Sequence, residues 1–371
     1  MRGLAMALTV LVLGATGAMA ATLTNDDVVT LTQKLAGEDG KLSKEAEELI
    51  VKSINSSDCR FDVSPQQIVK LSEAKVPIRI IDLMLDTNKE WRNRIKGAVQ
   101  VALQGFKDND PKLAERSLRE LKQIGPDAIP YLDKDGLSSD SASVRAGTLE
   151  AMGLIGHRDG LDPIMRSLLD RDSDVRAAAA KALRPVVEDR DKVCAQLVDM
   201  LGSLDQPRDG AALALGYLKD TGRAAEVRKL IDASNTPLLR AAAVTALGLM
   251  EDKGSIDLLV ECMLPEKVGN YNIDVSAAAA MSLARIGDPK AVKPMIKAFE
   301  RYPQASTRLV GPLSRFRDRM VVETLIDALD NTDTRTSDLA WEALKMLTGS
   351  EMKKSKQVWR EWWDLDGSKR F

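Results

Sequence analysis

The chain has 371 residues, with 53 Lys and Arg against 55 Asp and Glu, a single His and 4% aromatic residues. This balance of charge provides no overall attraction to nucleic acid or to an anionic membrane surface, so we expect neither as a partner. Few aromatics and many good helix formers favour closely packed helices over a sheet core. The composition therefore indicates an all-helical protein.

Residues 1–20 have the three-part order of a secretory signal peptide. Arg2 provides a positive start, residues 4–13 form an apolar stretch, and residues 18–20 (AMA) match the pattern of a cleavage site. A short buried helix is the alternative interpretation. We expect cleavage after Ala20 and a periplasmic or secreted mature protein. The remaining sequence has no apolar run long enough to cross a bilayer, so we expect no membrane insertion after cleavage.

A four-residue pattern recurs through the middle of the chain at nearly constant intervals. Its third residue is Arg145, Arg176, Arg208, Arg240 and Ser276, and the intervals are 31, 32, 32 and 36 residues. Each unit predicts an Ala-rich first helix, a turn with Gly or polar residues, and a second helix with apolar residues at i, i+3 and i+4. One such pair of helices cannot bury its apolar face alone, so neighbouring pairs must stack.

The pattern is most complete from Asp274 to Ile296, which reads DVSAAAAMSLARIGDPKAVKPMI. This segment resembles the HEAT repeat, and in particular the short HEAT-like repeats named after phycobilisome lyases. The resemblance implies an all-α, right-handed αα superhelix of the armadillo-type solenoid class, with about seven helix pairs. It implies a fold and no particular activity, because this fold carries many unrelated roles.

These patterns divide the chain into five parts. They are a signal peptide (1–20), an N-terminal helical module (21–86), a bridging helix (87–110), the solenoid (111–348) and a Trp-rich C-terminal cap (349–371). In the module, residues 24–27 (TNDD) and 64–67 (SPQQ) both predict capping boxes, the second with Pro at the first helical position. A charged segment, 38–48, is interpreted as an insertion. The module resembles one found at the start of other exported bacterial proteins.

Catalytic residues are not evident in the sequence. His157, the single histidine, lies in the turn GHRDG, where a solvated loop histidine is expected. One histidine is incompatible with the di-iron hydroxylases built on HEAT-like repeats, which require several His-Glu pairs. No phosphate-binding loop, dinucleotide-binding glycine pattern, HExxH or GxSxG motif is present. We predict a protein that is not an enzyme and has no cofactor; phycobilin lyase activity is not expected, because the similarity rests on residues that form the repeat.

Three cysteines, Cys59, Cys194 and Cys262, match no metal-binding spacing and no disulfide scaffold. Cys194 and Cys262 lie 68 residues apart, which is about two repeats. A disulfide requires Cα atoms within about 7 Å, and residues two layers apart do not meet that distance. We therefore expect three thiols.

In this architecture the second helices line the concave side, which is the usual binding surface. Each second helix has two outward positions, two residues before and one residue after its apolar pair. The first position reads Asp162, Ala195, Arg228, Asp257, Lys293 and Glu323, and the second reads Arg166, Asp199, Asp232, Glu261, Lys297 and Asp327. The central positions are mainly acidic, and two lysines follow. Duplex DNA would require a continuous basic stripe instead.

From these outward positions we expect a basic segment of a protein partner to bind the central acids, beside a basic pair. The acids are Asp199, Asp232, Asp257 and Glu261, and the basic pair is Lys293 and Lys297. An ordinary solvated helix face is the alternative interpretation.

Residues 356–364 (KQVWREWWD) contain three of the five tryptophans, Trp359, Trp362 and Trp363. Trp359 and Trp363 share one helix face at i, i+4, which predicts an aromatic cap that closes the solenoid. The alternative is a platform on which a sugar or peptide stacks. A W-x-x-W-W ending also occurs in the exported HEAT-like proteins that this chain resembles.

The predicted function is an exported scaffold or adaptor that binds other proteins without catalysis. Two alternatives stay open: an envelope protein that binds a ligand or glycan through its Trp-rich end, and a non-catalytic regulatory subunit of an envelope enzyme. The sequence does not identify the partner, the pathway or the oligomeric state.

Overall fold

The computed structural model describes residues 23–37, 41–56, 59, 61–265 and 271–371. Every regular element in these ranges is helical, which confirms the all-α prediction. The expected signal peptide lies outside the described residues. None of the described helices is both long and apolar enough to cross a membrane. The chain divides into two compact units, Met1–Val101 and Ala102–Phe371.

The first unit contains α1 (Asn25–Leu35), α2 (Lys44–Ser56), α3 (Pro65–Glu73) and most of α4 (Ile78–Lys107). Their apolar faces form one cluster, which includes Val28, Leu31, Ile50, Ile54, Leu71, Ile80 and Met84. Helix α2 was not predicted from the sequence, because its charged start was interpreted as an insertion. Ile50 and Ile54, at i and i+4, bury one side of it.

Helix α4 is continuous through residue 86, where the sequence suggested that the module ends and a bridging helix begins. Pro77 precedes this helix and the next proline is Pro111, so no residue in between removes a backbone donor. The helix ends before Asn109, which adopts a left-handed φ of 51°. One long helix therefore includes both predicted segments.

The two predicted capping boxes have different outcomes. The Thr24 hydroxyl accepts a hydrogen bond from the Asp27 backbone N–H at 3.3 Å, and the Asp27 carboxylate accepts one from the Thr24 N–H at 2.8 Å, so the first is confirmed. The second prediction was wrong, because Ser64 makes no side-chain cap bond. The N–H of Ser64 instead donates to Asp62 Oδ1 at 2.9 Å, and Pro65 starts the helix as expected.

The second unit is a stack of helix pairs. The first helices of the pairs are α5 (Pro111–Ile124), α7 (Ala142–Ile155), α9 (Ser173–Leu183), α11 (Asp209–Tyr217), α13 (Pro237–Met250), α15 (Ile273–Ile286), α17 (Ser306–Leu313) and α19 (Thr334–Thr348). The second helices are α8 (Leu161–Ser167), α10 (Arg190–Gly202), α12 (Ala224–Arg228), α14 (Ile256–Met263), α16 (Val292–Arg301), α18 (Arg319–Asp327) and α20 (Lys356–Leu365). In the first pair, a short α6 (Ile129–Tyr131) between a 3₁₀ turn and a π turn takes the place of a second helix.

The turns between paired helices have the chemistry expected from the sequence. Gly156, Gly287 and Gly349 end first helices with left-handed φ values of 68°, 70° and 70°, which glycine adopts without steric cost. Short 3₁₀ turns then lead into second helices at Arg158–Gly160, Thr221–Arg223, Lys253–Ser255 and Pro289–Ala291. Further 3₁₀ turns lie at Arg184–Val186, Lys229–Ile231, Pro303–Ala305, Ala328–Asp330 and Gly367–Arg370.

Successive first helices from α5 to α19 pack against one another, and so do the second helices from α14 to α20. This packing confirms the predicted helical solenoid. Three glycines, each eight residues after a repeated Arg position, let first helices approach closely. A Cβ on Gly153, Gly216 or Gly248 would lie 2.9, 2.7 or 2.6 Å from a Cα atom of the next first helix. A side chain at these positions would force the helices apart.

Two arginines of the repeated pattern are buried and connect neighbouring repeats. Arg145 donates through Nε and Nη2 to the two carboxylate oxygens of Asp170, both at 2.8 Å. Arg176 donates through Nε to both carboxylate oxygens of Asp209, at 3.0 and 2.9 Å. Each also donates to a backbone carbonyl, Arg145 to Ser139 at 2.9 Å and Arg176 to Asp170 at 2.7 Å. These contacts give the arginines the structural role of fixing one repeat on the next.

The pair between Arg176 and Asp209 is desolvated, since its side chains are 6% and 8% exposed. Asp209 stands where the pattern has Ala in the other repeats, at Ala146, Ala177, Ala241 and Ala277. The pattern therefore gave no indication that this acid is the partner of Arg176. Removing one member of a buried pair leaves the other charge without compensation.

We expect Asp209→Ala to lower the free energy of unfolding by about 3–5 kcal/mol, because it leaves the buried Arg176 guanidinium unpaired. The matched control is Glu115→Ala, which removes an i, i+4 partner of Arg119 whose side chains are 69% and 70% exposed. That change should cost less than about 1 kcal/mol. Urea unfolding of both variants followed by circular dichroism measures the difference, and equal losses would contradict the assigned role of the pair.

Candidate functional site

The outward positions of α14 and α16 lie on the solvent side of these helices. Asp257 and Glu261 on α14 are exposed, and so are Lys293 and Lys297 on α16. Leu259, midway between the two acids, is fully buried. Because residues four apart share one side of a helix, each helix presents two like charges to solvent and its apolar side to the core.

The turn before each of these helices is closed by an aspartate. Asp288 Oδ1 accepts a hydrogen bond from the Lys290 N–H at 2.9 Å, just before α16. Before α14, the Asp252 carboxylate accepts from the Ser255 hydroxyl and, at 2.5 Å, from Arg228 Nη2. These hydrogen bonds hold the pKa of Asp252 below its ordinary value, although burial by itself would raise it. Local turn chemistry therefore fixes where each second helix begins and which side chains face outward.

Asp199 is exposed on α10, as expected, but Asp232 is not on a second helix. Helix α12 ends at Arg228, and Asp232 begins the connection to α13 with an extended ψ of 141°. Its Oδ1 accepts from the hydroxyl and the N–H of Ser234 at 2.6 and 2.8 Å, and these bonds lower its pKa. The predicted position of Asp232 on the helix face is therefore corrected: it is a turn residue.

Two outward charges, one near each end of the array, are paired within the protein. Arg166 on α8 donates to both carboxylate oxygens of Asp133 at 2.9 Å. At the other end, Asp327 on α18 accepts from Arg360 on α20 at 2.6 Å and lies 3.2 Å from the ammonium of Lys356. Outward positions on consecutive second helices are thus close enough to form ion pairs.

The charges in the middle of the array differ in this respect. Asp199, Asp257, Glu261, Lys293 and Lys297 form no ion pair and no side-chain hydrogen bond with any described residue. We call these five side chains the central charged face. Asp162 on α8 is likewise without an ion pair or side-chain hydrogen bond to a described residue, but it lies nearer the N-terminal end of the array.

Two grooves lie beside these residues. One, of about 510 Å³, is lined by residues of α8 and α10 and includes Asp162, Glu188, Asp189 and Asp199. The other, of about 420 Å³, is lined by residues from α12 to α14 and includes Glu261, Asp232, Arg228 and Arg240. Asp199 therefore lies in a mainly acidic groove, Asp232 and Glu261 lie in one of mixed charge, and Asp257 lines neither groove.

A third groove, of about 810 Å³, lies on the layer of first helices and was not expected from the sequence. It is lined mainly by small and apolar residues of α5, α7 and α9, among them Ala146, Gly147, Ala178 and Ala182. Phe106 packs over Gly147, where a Cβ would lie 2.5 Å from its ring. The small residues repeated along the first helices are the sequence feature that could have indicated this groove.

The tryptophans form an interior cap. Trp359 and Trp363 on α20 are 0% and 1% exposed. The indole N–H of Trp363 donates to Glu323 on α18 at 3.1 Å, and Gly367 lies against the half-buried ring of Trp362, where a Cβ would be 2.5 Å away. Buried rings cannot stack on a ligand, so the platform interpretation is corrected for Trp359 and Trp363. Helix α20 takes the place of a second helix beside α18 and closes the array.

The reactive side chains lie in structural settings. Burial raises the pKa of the Cys194 and Cys262 thiols to about 11. Cys59 is also buried, and its Sγ donates to the Ile54 carbonyl at 3.3 Å. His157 Nδ1 accepts from the Asp159 N–H at 3.3 Å within its turn. In the described part of the chain, no group of three or more His, Cys, Asp or Glu is arranged to hold a metal ion.

We expect Cys194 and Cys262 to react with iodoacetamide at pH 8 at least about 100-fold more slowly in the folded protein than in urea. With a pKa of about 11 only about 0.1% of each thiol is ionised at that pH, and burial blocks access to it. Mass spectrometry of the two cysteine peptides measures the rates. Similar rates in the folded and unfolded protein would show that these thiols are accessible.

The family model for HEAT repeats matches residues 95–184 and 134–215 of the chain. The model for PBS lyase HEAT-like repeats matches residues 276–301. No curated protein matches the chain. Apart from residues 95–110, which belong to α4 and the turn after it, the matched residues lie within the predicted solenoid, 111–348.

Several solved structures are similar to the chain. The complex of CpcE and CpcF of phycocyanin lyase from Nostoc sp. PCC7120 is 16% identical, with 67% of this chain and 94% of that chain covered and a TM-score of 0.37. Human deoxyhypusine hydroxylase is 16% identical, with 70% and 99% covered and a TM-score of 0.31. An engineered protein is 18% identical, with 87% and 94% covered and a TM-score of 0.34. At these identities none of them identifies an activity for this chain.

Proposed function

The chain is a HEAT-repeat protein with repeats of the phycobilisome-lyase type, and from this premise we propose that it is an exported, non-catalytic scaffold or adaptor that binds a protein partner through its central charged face. Solenoids of this kind present extended helical surfaces to other proteins. The observation that carries the proposal is the group of five unpaired charges at the middle of the array, whereas Arg166 and Asp327, at equivalent positions nearer its ends, are paired.

The chemistry of the partner follows from the three acids of the central charged face, which are Asp199, Asp257 and Glu261. An exposed carboxylate is ordinarily satisfied by water, so exposure alone would not point to a ligand. The ion pair between Asp327 and Arg360 shows that a carboxylate at an outward position accepts a charge-assisted hydrogen bond, here at 2.6 Å. A basic segment of a partner would supply that donor to the three central acids. Part of this attraction is screened by salt.

Export is proposed from the sequence of residues 1–20, with cleavage after Ala20. N-terminal sequencing of the protein isolated from its native cells tests this part of the proposal. The expected first residue is Ala21, in the periplasmic or secreted fraction. A mature chain that still begins with Met1 and stays with the cytosol would contradict export.

Charge reversal tests the binding surface. We expect the triple variant Asp199→Lys, Asp257→Lys, Glu261→Lys to bind the partner that co-purifies with the tagged wild-type chain at least about tenfold more weakly, because three attractive contacts become repulsive. Quantitative pull-down at low salt measures the loss.

The matched control changes three exposed acids of first helices, Glu115→Lys, Glu150→Lys and Glu342→Lys, and so makes the same change in net charge. It should retain partner binding within about twofold, because the reversed charges lie away from the proposed surface. Unfolding curves of both variants establish that they fold. Partner binding by the first triple variant that is unchanged at several salt concentrations would refute the proposed surface.

A further inference from the structure

Equivalent positions on two consecutive second helices carry opposite charges. Asp257 on α14 corresponds to Lys293 on α16, and Glu261 corresponds to Lys297, relative to the apolar pair of each helix. All four side chains are exposed. Because α14 packs directly against α16, an acidic pair and a basic pair lie next to each other on one face.

Two arginines beside the acidic pair have acceptors elsewhere. Arg240 Nε donates to the Ile231 carbonyl at 3.0 Å, and Arg228 donates to Asp252 at 2.5 Å and to Ser255 at 2.8 Å. The arginines that line the same groove as Glu261 therefore have other acceptors. The acids of α14 are left to solvent or to a partner.

The anions beyond the basic pair are engaged in the same way. On α18, Asp327 accepts from Arg360 and lies beside Lys356. Glu323 accepts from the Trp363 indole at 3.1 Å and from Arg319 Nε at 3.2 Å. Helix α20 thus provides partners for both outward carboxylates of α18, and neither of them pairs with Lys293 or Lys297.

The distance between the two pairs follows from helix packing. Neighbouring packed helices lie about 8–10 Å apart. An extended chain covers that distance in about three residues at 3.3 Å each. An α-helix that crosses the array covers it in about six or seven residues at 1.5 Å each, which is about two turns.

We propose that the partner segment is itself bipolar, with basic residues that contact Asp257 and Glu261 and acidic residues, about 8–10 Å further along, that contact Lys293 and Lys297. This inference rests on the proposed function and specifies the partner's charge pattern. A uniformly basic segment that crossed both helices would place positive charge against the lysines. Such like-charge contacts lower affinity for the wrong partner, so the basic pair acts as a selectivity element.

Three synthetic helical peptides with the same Ala-rich framework test the charge pattern. The bipolar peptide has a Lys pair and a Glu pair two turns apart, each pair at i, i+4. The all-basic peptide has Lys at all four positions, and the interleaved peptide has the same composition as the bipolar one with alternating signs. Fluorescence anisotropy with the full mature chain at low salt measures each affinity.

We expect the bipolar peptide to bind at least about fivefold more tightly than either of the others. In the variant Lys293→Ala, Lys297→Ala this preference should disappear, with the all-basic peptide binding at least as tightly as the bipolar one. The matched control, Lys112→Ala, Lys122→Ala, changes two exposed lysines of α5 and should keep the wild-type order.

The contrary results separate the two proposals. If the all-basic peptide binds the wild-type chain most tightly, the bipolar pattern is wrong, but a surface for basic segments remains supported. If the bipolar and interleaved peptides bind equally, only net charge matters and the inference fails. If no peptide binds, the central charged face is not a peptide-binding surface, and both proposals fail.

Discussion

The structure depends on the fact that a single pair of short helices cannot bury its own apolar face. Each pair must therefore lie against the next, and the distance between first helices is set by the smallest side chains along the contact. Gly153, Gly216 and Gly248 occupy the same place in three repeats, where a Cβ would meet a Cα atom of the next first helix. This packing leaves one side of the second helices exposed to solvent. Packing therefore does not restrict which side chains occupy that side.

Charge is used in two ways in this array. Buried pairs such as Arg176 and Asp209 hold neighbouring repeats together in a desolvated contact. Breaking such a pair lowers the free energy of unfolding, so its role is structural. Exposed charges on the second helices are neutralised near the ends of the array, for example between Asp327 and Arg360. On the central second helices Arg228 is paired with Asp252, but the five side chains of the central charged face have no such partner within the described chain. The buried pairs between repeats and the unpaired exposed charges thus occupy different positions, and this difference supports the proposed scaffold function.

The repeat interval was enough to predict the fold and the exposure of Asp257, Glu261, Lys293 and Lys297, because both follow from local helix periodicity. It did not predict the position of Asp232, because α12 ends at Arg228 and Asp232 lies in the connection that follows. The i, i+4 spacing of Trp359 and Trp363 did predict a cap, and both rings are buried. Sequence spacing could not show that Arg176 would bind an acid 33 residues away. That pairing depends on a contact between repeats, which a pattern within one repeat does not contain.

Site-specific photo-cross-linking in intact cells tests most directly whether a partner binds the second helices. A photoreactive amino acid is placed at Ala195, which is exposed on α10 one turn before Asp199, or at Met281, which is exposed on the first helix α15. Identification of the captured proteins by mass spectrometry follows. If the partner binds the second helices, one protein dominates the capture at Ala195 and is absent at Met281. Capture of that protein from Met281 alone, equal capture from both, or none from Ala195 would contradict the assignment of binding to the second helices.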